Sequence, residues 1–60
     1  MTKKVDLERE LEAAGWTKVK RKKGPHDKFT KPGRRSVPVP RHREIDDDTA
    51  EEIRKQAGLR

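Results

Sequence analysis

The apolar positions of this 60-residue chain begin with a helical pattern. Leu7, Leu11 and Ala14 follow the i, i+4, i+7 spacing that places side chains on one face of a helix. Gly15 comes next, at the position where a glycine commonly ends a helix. The pattern predicts a first helix over residues 3–14.

Three short strands are predicted to follow this helix. Over residues 16–22 the polarity alternates with a period of two, as it does in a strand with one covered face. The turn signals Lys23-Gly24-Pro25 and Lys31-Pro32-Gly33 divide the next stretch. They place a second strand at about residues 26–30 and a third at residues 34–39.

Two prolines indicate where the third strand lies in the sheet. Pro38 and Pro40 lack an N–H group and are two residues apart, so their nitrogens face the same side of the strand. A neighbouring strand on that side would find no donors at these positions. The third strand is therefore predicted to be an edge that discourages further pairing.

A second helix is predicted after residue 48. Its apolar stripe consists of Ala50, Ile53 and Ala57. Asp48 and Glu51 have the spacing of a capping box, and the three aspartates at 46–48 suit the positive end of a helix dipole. Gly58 follows where this helix should end.

The predicted order is α-β-β-β-α, an α+β fold with a three-stranded antiparallel sheet and two helices on one face. Sixty residues allow a single domain, residues 1–60, with a small core. The expected core residues are Val5, Leu7, Leu11, Trp16, Val19, Phe29, Val37, Val39, Ile45, Ile53 and Leu59. Because 47% of the residues are charged, disorder is the alternative, but the regular spacing of the apolar residues argues against it.

The positive charge of the chain is concentrated in its middle. The formal net charge is +6, and residues 17–43 hold eleven Lys or Arg against one acid, Asp27. Such a concentration attracts polyphosphate and exceeds what solubility requires, although a solvated basic face is the alternative. We predict RNA or DNA binding through Lys18, Lys20, Lys22, Lys23, Gly24, Lys28, Arg34 and Arg35.

A histidine lies at the turn within this basic segment. His26 follows Gly24-Pro25, and histidine exchanges protons near neutral pH. If Val19 and Phe29 face the helices, alternation places the intervening residues on the open face of the sheet. These open-face residues are Lys18, Lys20, Lys22, His26, Lys28 and Thr30.

Several kinds of site and location are excluded or disfavoured. The chain has no cysteine, so disulfides and zinc–thiolate sites are excluded. It has no apolar run of signal-peptide or membrane length, so a cytoplasmic protein without membrane contact is expected. His26 and His42 have no third ligand at convincing spacing, so no metal or other cofactor is expected.

Four segments of the chain resemble the HicA family of toxins, which are small bacterial RNA-cleaving proteins of toxin–antitoxin pairs. The segments are Leu11-Glu12-Ala13-Ala14-Gly15-Trp16, Lys23-Gly24-Pro25-His26-Asp27-Lys28-Phe29, Val37-Pro38-Val39-Pro40-Arg41-His42, and Asp48-Thr49-Ala50-Glu51-Glu52-Ile53 through Gly58-Leu59. Each segment is weak alone, whereas all four in order within 60 residues are specific, and the resemblance extends over nearly the whole chain.

The resemblance implies a double-stranded-RNA-binding-like fold, which agrees with the predicted order of elements. It implies an mRNA-cleaving endoribonuclease with His26 as the catalytic residue. It also implies a HicB-type antitoxin that covers the active site, in a heterotetramer or larger complex. Two positions depart from the family pattern: Pro25 replaces the usual serine, and Asp27 replaces a second histidine.

The chemistry expected at His26 is metal-independent cleavage of RNA. A base takes the proton of a ribose 2′-hydroxyl, whose oxygen then attacks the adjacent phosphate while cations stabilise the developing charge. His26 is assigned as this base, or as the acid on the leaving oxygen, with Lys28 and Lys22 or Lys23 on phosphate. The alternatives are an exposed turn histidine in a non-catalytic RNA-binding module, or a basic protein that mainly binds an acidic protein partner.

Three further residues have competing interpretations. His42 is a second candidate for acid–base work, but a polar residue in a basic loop is the favoured interpretation. Trp16 and Phe29 could stack on bases, but a core of this size needs both aromatics. Little else in the chain could read base identity, so weak sequence preference is expected.

Overall fold

The structure is a computed structural model and describes residues 1–19 and 24–60. Its helices are α1 (Lys4–Ala13) and α2 (Asp47–Gln56). Its strands are β1 (Thr2–Lys3), β2 (Thr17–Val19), β3 (His26–Thr30), β4 (Val37–Pro40) and β5 (Glu44–Ile45). The predicted α+β fold is confirmed: β2, β3 and β4 form the three-stranded antiparallel sheet in that order.

A second sheet pairs β1 with β5 and was not predicted. Thr2 lies opposite Ile45 and Lys3 opposite Glu44 in an antiparallel ladder. Strands of two residues leave no periodic pattern in a sequence, so alternation could not reveal them. This ladder ties the segment before α1 to the segment before α2.

Helix α1 ends as its sequence predicts. Gly15 has a φ of 95°, and its N–H donates to the carbonyl oxygen of Glu12. The N–H of Trp16 donates to the carbonyl oxygen of Leu11, 3.0 Å away. These two bonds form a Schellman motif, which turns the chain so that Trp16 is buried against the helix that it follows.

The start of α2 differs from the prediction. The helix begins at Asp47 with Asp46 as the N-cap residue, and no side chain accepts a capping hydrogen bond there. The capping box predicted from Asp48 and Glu51 is therefore wrong. Glu51 instead accepts hydrogen bonds from Arg54 and Arg60, because those guanidinium groups offer a carboxylate stronger partners than a backbone N–H.

One apolar cluster lies between the helices and a single face of the three-stranded sheet. The buried members are Leu7, Leu11, Trp16, Phe29, Val37, Val39, Ile45, Ala50, Ile53 and Ala57, with Ala14 and Leu59 packed against them. Two predicted core residues are wrong, since Val5 is 50% exposed and Val19 is 39% exposed. Ala50 and Ala57 of the predicted α2 stripe are buried in the cluster, although neither was among the expected core residues.

The predicted edge position of the prolines is confirmed. β4 is the last strand of the sheet, and Pro38 and Pro40 lie opposite Lys28 and His26 on β3. The third strand was predicted over residues 34–39, whereas β4 spans Val37–Pro40. The chain before it forms a turn, in which the N–H of Arg34 donates to the carbonyl oxygen of Lys31.

Candidate active site

His26 lies at the start of β3 on the face of the sheet opposite the helices. Residues directly opposite in an antiparallel ladder share a face, and His26 lies opposite Pro40. The neighbouring residue Asp27 lies opposite buried Val39 and faces the helices. His26 is therefore exposed, as predicted from the phase that Phe29 sets for this strand.

The open face is less rich in lysine than the sequence predicts. Its described members are Thr17, Val19, His26, Lys28, Thr30, Pro38 and Pro40. Lys28 is half-buried and lies two residues beyond His26 on the same face. Among the described residues it is the lysine that shares this face with the histidine.

Lys18 faces the helices, so its predicted place on the open face is wrong. It lies opposite Phe29, whereas Val19 lies opposite Lys28. The Lys18 ammonium is 3.0 Å from the Glu8 carboxylate of α1, and this contact raises the pKa of Lys18. A charge can face inward here because the acids of this side neutralise it.

Four predicted contacts lie in or beside the segment before β3. Lys20, Lys22 and Lys23 lie outside the described residues. Gly24 is exposed with a φ of 106°, in the left-handed region that glycine adopts without strain. Gly24 therefore leads the chain into β3 through a turn that favours glycine.

Arg34 and Arg35 are exposed, but Arg34 lies against α2 and not beside His26. One guanidinium nitrogen of Arg34 donates to the carbonyl oxygen of Gln56 at 3.4 Å. Lys31 caps the other helix, since its ammonium donates to the carbonyl oxygen of Ala14 at 2.6 Å. Both contacts place positive charge at the negative end of a helix dipole. The loop before β4 thus uses two of its bases to cap helices.

A buried ionic network lies directly behind His26. Asp27, whose side chain is 7% exposed, accepts a hydrogen bond from the Lys4 ammonium at 2.6 Å and another from Nε of Arg41 at 2.9 Å. The Lys18 ammonium lies 3.5 Å from the same carboxylate. Glu8 adds a second acid, 3.4 Å from Lys4. Two acids and three bases from four parts of the chain meet at this point.

The network sets the ionisation of Asp27. The hydrogen bond from Lys4 lowers the pKa of Asp27 to about 2, and Arg41 acts in the same direction, while burial opposes both. Asp27 is therefore an anion at neutral pH. Because its carboxylate faces the helices, it makes no direct pair with the His26 ring, as the alternation of a strand predicts.

The role of Asp27 was not predicted, although the sequence contains a signal for it. Asp27 and Phe29 are two residues apart on one strand, so a buried Phe29 implies that Asp27 also points inward. Asp27 is also the one acid in the basic segment 17–43. A lone buried acid among bases indicates a neutralising role.

His42 lies beyond the end of β4, two residues after Pro40, which lies opposite His26. It lines a small cleft of about 190 Å³ together with Glu44, Asp46 and Thr49. A larger cleft of about 660 Å³ is lined by Lys3, Lys4, Val5, Glu8, Arg43 and Glu44, and does not include His26. We place the candidate site on the open face, where His26 is exposed and Lys28 shares the surface.

Two further features of the described residues bear on cofactors and membranes. Nowhere in residues 1–19 and 24–60 do three His, Asp or Glu side chains come together as ligands for a metal ion. In that part of the chain, neither α1 nor α2 has the length and apolar composition that a membrane span requires.

Comparisons with known proteins identify relatives of this chain. The family model described as "HicA toxin of bacterial toxin-antitoxin" matches residues 5–59. A solved structure described as "Toxin-Antitoxin complex from Streptococcus pneumoniae" contains a chain with 37% identity and a TM-score of 0.86. That match covers 98% of this chain and 100% of the other. No curated relative matches. Because the family model spans nearly the whole sequence and a similar chain has the same fold, this protein belongs to the HicA toxin family.

Proposed function

We propose that this chain is the toxin of a type II toxin–antitoxin pair and acts as a metal-independent endoribonuclease on mRNA. We assign His26 as its catalytic residue and expect a HicB-type antitoxin to inhibit it. Membership of the HicA toxin family supports the toxin role. The similar solved chain, taken from a toxin–antitoxin complex, supports a protein partner for this one.

The observation that carries the proposal is the exposure of His26 on the open face of the sheet. The helices and the apolar cluster occupy the other face, so the histidine is accessible to a polymer as large as RNA. Lys28 lies on the same face and can neutralise a phosphate. An acid–base group and a cation at one surface are the minimum that this reaction requires.

The proposed reaction breaks one phosphodiester bond without a metal. His26 takes the proton from a ribose 2′-hydroxyl, and the 2′ oxygen forms a bond to the adjacent phosphorus. The bond from phosphorus to the 5′ oxygen of the next nucleotide breaks, that oxygen takes a proton from water, and His26 releases the proton that it accepted to the solvent. The products are a 2′,3′-cyclic phosphate and a 5′-hydroxyl end. Lys28 stabilises the negative charge on the phosphate oxygens as the bonds exchange.

Pro25 supports a second candidate, a non-catalytic RNA-binding module. It stands in place of the serine usual in this family and cannot offer a hydroxyl to a phosphate. Proline also fixes φ, so it stiffens the turn before His26 without adding a hydrogen-bond donor. The basic segment would bind RNA equally well in this case, and only the cleavage step would be lost.

Induced expression of variants separates the two candidates. We expect the wild-type chain to arrest growth and deplete mRNA, and His26→Ala to do neither at the same protein level. His42→Ala is the matched control, since it removes an imidazole that lies beyond β4, and it should behave as the wild type. Arrest and mRNA loss of equal strength with His26→Ala would contradict the proposal, and antitoxin co-expression should relieve arrest by the wild type.

A further inference from the structure

We propose that Asp27 is a positioning residue for His26, because its buried carboxylate anchors the start of β3 to three other parts of the chain. This inference rests on the proposed ribonuclease function. Asp27 does not face the RNA-accessible side, so it acts through the strand that carries the histidine and not through contact with substrate.

The three bases that contact Asp27 come from different parts of the chain. Lys4 is the first residue of α1, Lys18 lies on β2, and Arg41 follows β4. Each reaches the Asp27 carboxylate, at 2.6, 3.5 and 2.9 Å respectively. A single side chain on β3 therefore connects a helix and both neighbouring strands at the residue next to His26.

Arg41 is hydrogen-bonded to β3 and to the residue before it. Its backbone N–H donates to the carbonyl oxygen of Pro25 at 3.1 Å, and its Nε donates to Asp27 at 2.9 Å. Arg41 thus holds the residue before His26 and the residue after it.

The charge balance of the network depends on Asp27. With Asp27 present, two acids face the bases Lys4, Lys18 and Arg41. Replacing Asp27 with asparagine leaves three partly exposed cations and Glu8 around a buried amide. Removal of one partner from a buried ionic network is far more disruptive than loss of a surface pair. The cations would repel one another and release the end of β3.

This arrangement predicts an effect on turnover and not on RNA affinity. Affinity depends mainly on the number of phosphates that the basic residues neutralise, which the change does not reduce. Turnover depends on the position of the imidazole relative to the 2′-hydroxyl, and small displacements are costly. Loss of the Asp27 carboxylate should therefore lower kcat and leave KM nearly unchanged.

The test compares purified Asp27→Asn with the wild type and with Glu10→Gln. The control also breaks a carboxylate–arginine pair at 2.9 Å, but that pair joins α1 to Arg54 of α2 and does not touch the sheet. We expect Asp27→Asn to lose about tenfold or more in kcat with KM within about threefold, and Glu10→Gln to keep both values. Rates are corrected for the folded fraction at the assay temperature.

A second variant and a second measurement cover the case in which Asp27→Asn does not fold. Lys4→Gln removes the 2.6 Å contact and leaves the other two, so we expect a smaller fall in kcat in the same direction. Hydrogen exchange of the Arg41 amide reports the bond to Pro25 without reference to activity. Exchange at this amide should accelerate in both variants and not in Glu10→Gln.

Each outcome decides the proposal. A folded Asp27→Asn or Lys4→Gln chain with wild-type kcat and wild-type exchange at Arg41 overturns the positioning role alone, provided that His26→Ala is inactive in the same assay. Cleavage that persists in His26→Ala, or a wild type that does not cleave, overturns the proposed function and the positioning role with it.

Discussion

At the scale of single residues, the side chains on the two faces of β3 have different roles. His26 and Lys28 project toward the open side, whereas Asp27 and Phe29 project toward the helices. In the proposed reaction the open-face pair supplies an acid–base group and a cation, whereas the buried pair fixes the strand through an ionic network and an apolar core. Along the five residues of β3, those assigned to the proposed reaction thus alternate with those that hold the strand in place.

The cation on this face leads to a prediction about RNA binding. Lys28→Gln should weaken binding and reduce the slope of log K against log salt by about 0.7, because one phosphate contact to single-stranded RNA is lost. Lys55→Gln is the matched control, since Lys55 is an exposed lysine on α2, behind the sheet. Binding isotherms over a series of salt concentrations give both slopes. Equal slopes for Lys28→Gln and the wild type would remove Lys28 from the RNA contacts.

The same residues show what the sequence could and could not predict about the site. The exposure of His26 could be predicted from Phe29. A phenylalanine in so small a protein is needed in the core, and its inward direction fixes which residues of the strand point outward. Lys18 was placed on the wrong face because the phase of β2 was taken from Val19, which is exposed. A valine is a poor guide to which face of a strand is buried when an acid on the helix side, such as Glu8, can neutralise an inward-facing lysine.

At the scale of elements, both helices end in the same way and meet the same loop. Gly58 has a φ of 76°, and the N–H of Leu59 donates to the carbonyl oxygen of Arg54, as in the motif at Gly15. Lys31 and Arg34 reach the last turns of α1 and α2 from the loop before β4. That loop thereby fixes the two helices relative to the sheet.

Replacement of Gly15 tests this description of the helix end. L-alanine at position 15 must adopt a φ near 95°, and its Cβ would lie 3.3 Å from Cε of Lys31. Gly15→Ala should lower the free energy of unfolding by about 1–2 kcal/mol, measured by urea denaturation. A chain of 60 residues can be made by chemical synthesis, so D-alanine offers a control that prefers positive φ. Equal losses with both isomers would contradict an explanation based on backbone strain.

Element boundaries were predictable where glycines or prolines mark them. Gly15 and Gly58 gave the ends of both helices, and the prolines of β4 gave its edge position. The start of α2 was misplaced because residues 46–48 are all aspartate, and each could serve as an N-cap. The β1–β5 ladder depends on contacts between distant segments, which no local pattern contains.

At the scale of the whole molecule, acidic and basic residues belong to different regions of the chain. Acids outnumber bases in residues 1–16 and 44–60, which contain α1 and α2, whereas residues 17–43 carry the excess of bases. Ion pairs link the two regions in the network at Asp27, where Lys4 and Glu8 of α1 meet residues of the basic region. The global stability of the fold should therefore depend on the ionisation of this one acid.

The pH dependence of unfolding tests that dependence. The pKa of Asp27 is lowered to about 2 in the folded protein, against about 3.9 for an unfolded aspartate. Its contribution is fully present above about pH 5 and is lost progressively as the pH falls from about 5 to about 1. The difference in unfolding free energy between the wild type and Asp27→Asn should therefore shrink over this window. A difference that stays constant from pH 6 to pH 2 would show that the carboxylate charge does not stabilise the fold.

The central claim is that the exposed imidazole of His26 cleaves RNA without a metal. The most direct measurement is mass spectrometry of RNA fragments after incubation with purified chain in EDTA. We predict fragments with 2′,3′-cyclic phosphate and 5′-hydroxyl ends from the wild type, and intact RNA from His26→Ala despite RNA binding within about threefold of the wild type. The same fragments from His26→Ala, or cleavage that stops in EDTA and returns with a divalent metal, would contradict the account.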